Sequence, residues 1–374
     1  LKFDTVYGVQ YGSCGKGAVI AKLAQEEKYA LTIRTGAPNA GHTFYVEMPK
    51  SRVPDNILKD SVDDGSFELG GVNYAKRNGI WYRKVVHQLL PSAAPWIRDI
   101  FFAPNSILNL DVLRREIDEM ADVLDIDPKE MCARISIDPN AAIMDGHEEE
   151  AEEEGQDLRK KIGSTMEGVG AAQKRKISRL DKNYVWGHYK ENKLHKYDML
   201  HLCQTIPSWD LYNSRYADDD VALIEGTQGT LLSINHCPYP FGTSRDSSAN
   251  GILADAGVPH KDVRHIIGVA RTYPIRVAGN SGPLPNETTW GEIGLPEEIT
   301  TVTKLVRRVG RFSVEDFEKS YLINKPTHIA LTFTDYPDVE KAVTTVWDGE
   351  AMGDYKVLMK TSGPSPSDAE FYGL

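Results

Sequence analysis

Residues 6–24 read VYGVQYGSCGKGAVIAKLA. An apolar run, Phe3 to Val9, breaks into a turn holding Gly12, Gly15, Lys16 and Gly17, and an amphipathic pattern follows at Val19, Ile20, Leu23 and Ala24. That order predicts strand, loop and helix. Glycines let successive backbone N–H groups converge on one point, a helix start adds partial positive charge, and a loop lysine adds a full one. Such a loop suits phosphate. It departs from the Walker A pattern, which wants glycine where Gln10 stands and serine or threonine where Gly17 stands.

Outward from this loop, YALTIR at 29–34 predicts a second strand running into the polar loop TGAPNAGHTF at 35–44. Strand, helix, strand, polar loop is the pattern of a parallel sheet. Residues 47–83 have weak periodicity and fit an excursion of loops or a small hairpin lobe. Strand material is expected at 84–91 and 100–109, and DVLRREIDEMADVL at 111–124 spaces its apolar residues for a helix. The acidic run at 145–161 reads as a solvated helix face, because metal sites rarely use undifferentiated glutamates.

GSTMEGVGAAQKRK at 163–176 is a second Gly/Ser/Thr loop entering a basic helix, hence a second candidate anion site. A third polar loop, 225–248, follows the apolar strand Val221 to Ile224. Further strands are expected at 265–277 and 327–335, a basic segment lies at 300–313, and a late turn at 360–368. The fold class is therefore α/β, with a large, mostly parallel central sheet; at 374 residues one large domain with appended lobes and two domains are both open. Its chemistry is expected in loops at the carboxyl ends of the strands.

Composition is that of an ordinary globular protein, 41% hydrophobic and 26% charged. The net charge of −11 argues against a duplex-binding surface, so no nucleic-acid partner is expected, and an anionic substrate must be met by local basic residues. Cys14, Cys132, Cys203 and Cys237 show no metal-ligand spacing and read as reduced thiols of a cytoplasmic protein. No apolar run approaches the roughly 18 residues of a membrane span, and residues 1–9 are too short for a signal peptide.

GVQYGSCGKG at 8–17 and GAPNAGHT at 36–43 resemble the two signature loops of the adenylosuccinate synthetase family. The likeness continues in order through HQLLPS at 87–92, GSTMEGVG at 163–170, EGTQGTLLSINHCPYPFGTS at 225–244, RTYPIRV at 271–277, TTVTKLVRR at 300–308, LTFTD at 331–335 and TSGPSP at 361–366. It spans nearly the whole chain. The resemblance implies the fold of that family, a P-loop-like nucleotide site and peripheral lobes on the central sheet in one catalytic domain over 1–374, and its chemistry. The γ-phosphoryl of a nucleoside triphosphate moves to O6 of a 6-oxopurine nucleotide, and the amine of L-aspartate then displaces phosphate from C6. Phosphoryl transfer asks chiefly for positioning and charge neutralisation.

Carried over residue by residue, the resemblance makes Ser13, Lys16, His42 and Gln228 the catalytic set. It puts Ser13, Gly15, Lys16, Gly17, Gly41, His42, Thr43, Phe333, Asp335 and Gly363 around the triphosphate donor. It puts Ser13, Asn39, Ser164, Thr165, Arg179, Gln228, Thr243, Val277 and Leu305 around the nucleotide monophosphate, and Val302, Thr303, Arg307 and Arg308 around L-aspartate. Mg2+ would sit near Ser13 and the carbonyl of Gly41. Arg179 matches an arginine that reaches the neighbouring subunit's nucleotide, which implies a homodimer.

Three departures point to the substrate. Ser13 stands where the family has an aspartate that takes the purine N1 proton and binds magnesium, and a serine is a far poorer base. A neutral hydroxyl leaves space and a partner for a 2-amino group, which guanine carries. Leu305 stands where the family has an arginine on the ribose 2′-hydroxyl, which favours a deoxynucleotide. TFTD, Thr332 to Asp335, replaces the guanine-reading TKxD; Phe333 suits stacking on any purine, so ATP or dATP is favoured, while Asp335 keeps GTP open. Together these resemble a bacteriophage branch of the family serving DNA in which 2-aminoadenine replaces adenine. That implies dGMP, L-aspartate and ATP or dATP as substrates, with the host cytoplasm as location. The alternatives are an ordinary GTP-dependent synthetase acting on IMP, and a catalytically silent nucleotide-binding protein.

Overall fold

The structure is a computed structural model describing residues 1–59, 65–144, 146, 148, 161–164, 166–192, 198–300, 304–347 and 355–374. A ten-stranded sheet runs through it in the order Gln204–Thr205, Ile135–Ile137, Asp99–Phe102, Leu31–Arg34, Val221–Glu225, Lys2–Gly8, Val263–Arg271, His328–Thr332, Lys356–Thr361 and Ala369–Phe371. All neighbours are parallel except the last pair. This is the expected α/β architecture. Lys2–Gly8 lies between Val221–Glu225 and Val263–Arg271, so the chain winds outward in both directions from it.

Alternate residues of the central strands feed different cores. Val6, Leu223, Ile267, Val269 and Ala330 pack with Val19, Ile20 and Leu23 of the helix Lys16–Glu26. Tyr7, Ala222, Ile224, Ala270, Ile329 and Leu331 pack with Ala249 and Ile252 of the helix Ala249–Ala256. Both faces are thus covered, which is why these strands read as continuous apolar runs. Each fully buried Ile or Leu contributes about 1.5–3 kcal/mol relative to exposure. The helix Leu110–Leu124 forms where its apolar spacing predicts one; Asn109 caps it, its side chain accepting from the N–H groups of Asp111 and Val112.

A second, antiparallel sheet pairs His42–Met48 with Ile80–His87, then Val72–Arg77, then Ser66–Leu69. Its cluster of Met48, Val53, Ile57, Tyr74 and Trp81 is a small core of its own. The expected strand over 84–91 therefore starts earlier and belongs to this lobe. The expected acidic helix face at 145–161 lies almost wholly outside the described residues. Among the described residues no helix is long and apolar enough to cross a membrane.

Candidate active site

The loops after Lys2–Gly8, Leu31–Arg34, Val221–Glu225, Val263–Arg271 and His328–Thr332 all leave the same edge of the parallel sheet, and a cleft of about 710 Å³ opens there. The first loop is held by close backbone approach. A Cβ on Gly8 would strike the Gln228 carbonyl, and one on Gly229 would strike that of Gln10. Helix Lys16–Glu26 starts from Gly15 at φ 78°, a left-handed conformation that glycine adopts freely. A Cβ on Gly17 would strike the Thr43 carbonyl, so the helix start packs directly against the lobe strand.

Lys16 is buried, and its Nζ donates to the Gln228 carbonyl at 2.5 Å. Gln228, itself at φ 53°, donates through Nε2 to Asn39 Oδ1 at 3.1 Å. Lys16, Asn39 and Gln228, which come from three different loops, therefore meet. Ser13 (φ 47°) and Phe333 (φ 59°) are also in left-handed backbone, uncommon for residues with side chains and concentrated at functional sites.

His42 opens the first lobe strand and reaches down to the parallel sheet. Its Nδ1 pairs with Glu225 Oε1, and Arg34 Nη1 lies 3.3 Å from the same carboxylate oxygen. Glu225 also accepts from the Ser92 N–H at 2.7 Å and the Ser92 hydroxyl at 2.9 Å. Burial, with Arg34 beside it, pushes the His42 imidazole down to about 4. Burial alone would raise Glu225, but the neighbouring His42 and Arg34 more than offset it and hold the carboxyl at about 2. The pair is therefore a neutral imidazole and a carboxylate at neutral pH, with Nδ1–H donating to Glu225.

Arg307 Nη1 donates to the Ser13 hydroxyl at 2.8 Å, and Arg271 Nη1 donates to the Ser13 carbonyl at 3.0 Å. Arg271 is fully buried. Its guanidinium carbon lies 3.8 Å from the Phe333 ring centroid, and Glu298 forms an ion pair with it.

Of the residues expected from sequence, Ser13, Gly15, Lys16, Gly17, Asn39, Gly41, His42, Thr43, Ser164, Gln228, Thr243, Val277, Arg307 and Phe333 line the cleft. Leu305, Arg308, Asp335, Gly363 and Arg179 are not among the lining residues. Leu305 is 47% exposed, its N–H tied to Thr300 Oγ1. Arg308 is held by Glu287 at 2.6 Å. Asp335 is exposed, a Cβ on Gly363 would meet Asp368, and Arg179 caps the end of the helix Val169–Ser178. Thr165, Val302 and Thr303 lie outside the described residues.

Sequence reading missed Arg34, Glu225, Arg271 and Glu298. For the first three a signal existed: each charge ends an apolar strand segment, LTIR, VALIE and HIIGVAR, at the site edge. Among the described residues no cluster of three or more His, Cys, Asp or Glu is placed to hold a metal. The oxygens that Ser13 and Gly41 bring to the cleft lining, a hydroxyl and a carbonyl, are neutral. A hard cation fits here only if substrate phosphates bring most of its oxygen ligands, as is usual for Mg2+.

A family model for adenylosuccinate synthetase matches residues 189–356. The N6-succino-2-amino-2'-deoxyadenylate synthase of Vibrio phage phiVC8 is 32% identical over 341 residues, covering 89% of this chain and 86% of that protein. The chain belongs to the adenylosuccinate synthetase family. The adenylosuccinate synthetase of Methanococcus aeolicus is 30% identical, with 92% of this chain and 88% of that protein covered. In fold, the cyanophage S-2L succinoaminodeoxyadenylate synthetase, PurZ, solved with dGMP and dATP as an energy donor, superposes with a TM-score of 0.76 at 24% identity, over 99% of this chain and 95% of that one. The phage synthase and the family thus agree with the resemblance read from the loops, and the protein is a C–N bond-forming ligase.

Proposed function

We propose that this ligase joins L-aspartate to C6 of dGMP, using ATP or dATP, and forms N6-succino-2-amino-2'-deoxyadenylate with release of the nucleoside diphosphate and phosphate. The observation that carries this reading is Ser13. Its neutral hydroxyl, rather than a carboxylate, faces the cleft and is held by Arg307. A 2-amino group beside N1 finds a hydrogen-bond partner there without the crowding of a larger side chain.

In the first step N1 of the purine gives up its proton to solvent, O6 attacks the γ-phosphorus, and the O–P bond to the diphosphate breaks. Lys16 and the loop N–H groups neutralise charge on the moving phosphoryl. His42 begins neutral, and an arriving phosphate favours its protonated form, so that Nδ1–H holds Glu225 while Nε2–H turns to the phosphoryl oxygen. Mg2+, bound through substrate phosphates beside Ser13 and Gly41, would supply further charge neutralisation. In the second step the amine of L-aspartate attacks C6, the C6–O bond breaks, and phosphate leaves carrying the proton the amine gives up. Asn39, Ser164, Thr165, Gln228, Thr243 and Val277 hold the monophosphate; Val302, Thr303, Arg307 and Arg308 hold L-aspartate. Phe333 meets the donor base, with Asp335 and Gly363 at its margin, and Leu305 faces the sugar.

We further propose that the whole chain acts as one catalytic unit and works as a homodimer in which Arg179 serves the partner's nucleotide. Ile177 and Leu180 on either side of it are 64% and 90% exposed, an apolar pair that association would cover. The deciding assay measures diphosphate release with L-aspartate across dGMP, GMP, dIMP and IMP, each against ATP, dATP and GTP. Turnover of dGMP with ATP or dATP is expected; turnover only of IMP with GTP overturns the reading.

A further inference from the structure

Glu298 lies in none of the loops that resemble the family's signature stretches, yet it sits at the centre of a connected network. Its carboxylate pairs with Arg271 through Nη2 and accepts from Nη1 at 3.2 Å. It also accepts from the Tyr336 hydroxyl at 2.8 Å, and its own carbonyl accepts from the Arg307 N–H at 2.8 Å. Burial pushes its pKa up, but Arg271 outweighs that and holds the carboxyl below the usual range, so it stays charged.

Arg271 in turn has two functional surfaces. One face of its guanidinium lies 3.8 Å from the Phe333 ring centroid, and its Nη1 holds the Ser13 carbonyl at 3.0 Å. Phe333 is fixed from its other sides: Thr272 Oγ1 donates to its carbonyl at 2.7 Å, and Tyr336 packs edge-on with ring centroids 5.3 Å apart. A guanidinium buried to this degree cannot stay in place without its counter-charge. Together with the Tyr273 carbonyl, which accepts from Arg271 Nε at 2.5 Å, Glu298 fixes Arg271 against both Ser13 and Phe333, and among the described residues it alone supplies the counter-charge in that network.

We propose that Glu298 is a positioning residue that couples the two nucleotide subsites: stacking of the donor base on Phe333 and binding of the acceptor nucleotide beside Ser13 are read by one Arg271–Glu298 pair. This rests on the assignment of Ser13 and Phe333 to those subsites given above. A purine that stacks on Phe333 from the cleft restrains the ring and hence Arg271. That in turn restrains the Ser13 carbonyl, so the second nucleotide meets an ordered partner.

The test uses calorimetric titration of dGMP into the full chain with and without the β,γ-methylene analogue of ATP. In the native protein the analogue is expected to tighten dGMP by about tenfold, within the usual span of coupling between sites. In Glu298→Gln that factor is expected to fall to about one, and in Glu298→Asp to recover in part; melting temperature is followed in parallel. A purely structural role would lower the melting temperature and leave the factor alone. Should Glu298→Gln not fold, Phe333→Ala takes its place, with the same loss of coupling expected. An unchanged factor in the variant, or none in the native protein, overturns the proposal. If IMP rather than dGMP proves to be bound, the substrate assignment fails, and the same factor measured with IMP still decides the coupling.

Discussion

Arg307 and Ser13 stand 294 positions apart in the chain, and the 2.8 Å hydrogen bond from Nη1 to Oγ joins them at the mouth of the cleft. Because the serine oxygen accepts from a cation, its own proton remains free to be donated, and its second lone pair remains free to accept. Ser13→Asp replaces this with a carboxylate that would pair with Arg307 and crowd the 2-amino position. We expect kcat/KM for dGMP relative to dIMP to fall by about tenfold or more. An unchanged ratio in steady-state assays would remove Ser13 from the account of specificity.

Glu225→Gln leaves Arg34 buried without its counter-charge. The expected cost is about 3–5 kcal/mol in urea unfolding, with strong loss of turnover. Near-native stability would show that the carboxylate does not anchor the cluster.

His42 carries a pH signature. Its folded value of about 4 lies below the ordinary 6.5, so between those values the unfolded chain holds a proton that the folded protein refuses. Its contribution to stability is complete above pH 6.5 and is lost as pH falls towards 4, with a slope of roughly 1.4 kcal/mol per pH unit. Urea midpoints measured across that window should fall less steeply for His42→Asn than for the native protein. Parallel curves would contradict a buried neutral imidazole.

Gly17→Ala drives a methyl group into the Thr43 carbonyl. Since backbone cannot retreat cheaply, a loss of about 1–3 kcal/mol is expected together with weakened donor binding. Thermal unfolding and the KM for ATP report the two effects separately.

Leu305→Arg should raise kcat/KM for GMP relative to dGMP by about tenfold, by supplying a donor to a 2′-hydroxyl. If the ratio stays fixed, Leu305 has no role in choosing the sugar, in keeping with its exposure outside the cleft.

The parallel sheet and the phosphate loop were legible because both rest on local chemistry: apolar runs ending in glycines, and a lysine beside them. That Asn39, Ser164 and Thr243 line the cleft was legible only through likeness to a family, since nothing in a lone polar loop residue marks its place in a site. The antiparallel lobe was legible only as loops or a small hairpin lobe, because its strands share no one pattern: Ser66–Leu69 is mostly exposed, while His42–Met48 and Ile80–His87 are mostly buried, and no clean alternation runs through them. Arg34 with Glu225, and Arg271 with Glu298, escaped notice because their meaning lies in pairs formed across 191 and 27 positions, which no local pattern encodes.

His42 is the first residue of a strand in the antiparallel lobe, while Glu225 is the last residue of a strand in the parallel sheet. The two halves of this acid–base pair thus ride on separate layers of the protein. The charge state of His42 is consequently conditional on how the two sheets are assembled: a disturbance at Trp81 or Tyr74, inside the lobe's own small core, would be felt as a mis-set histidine.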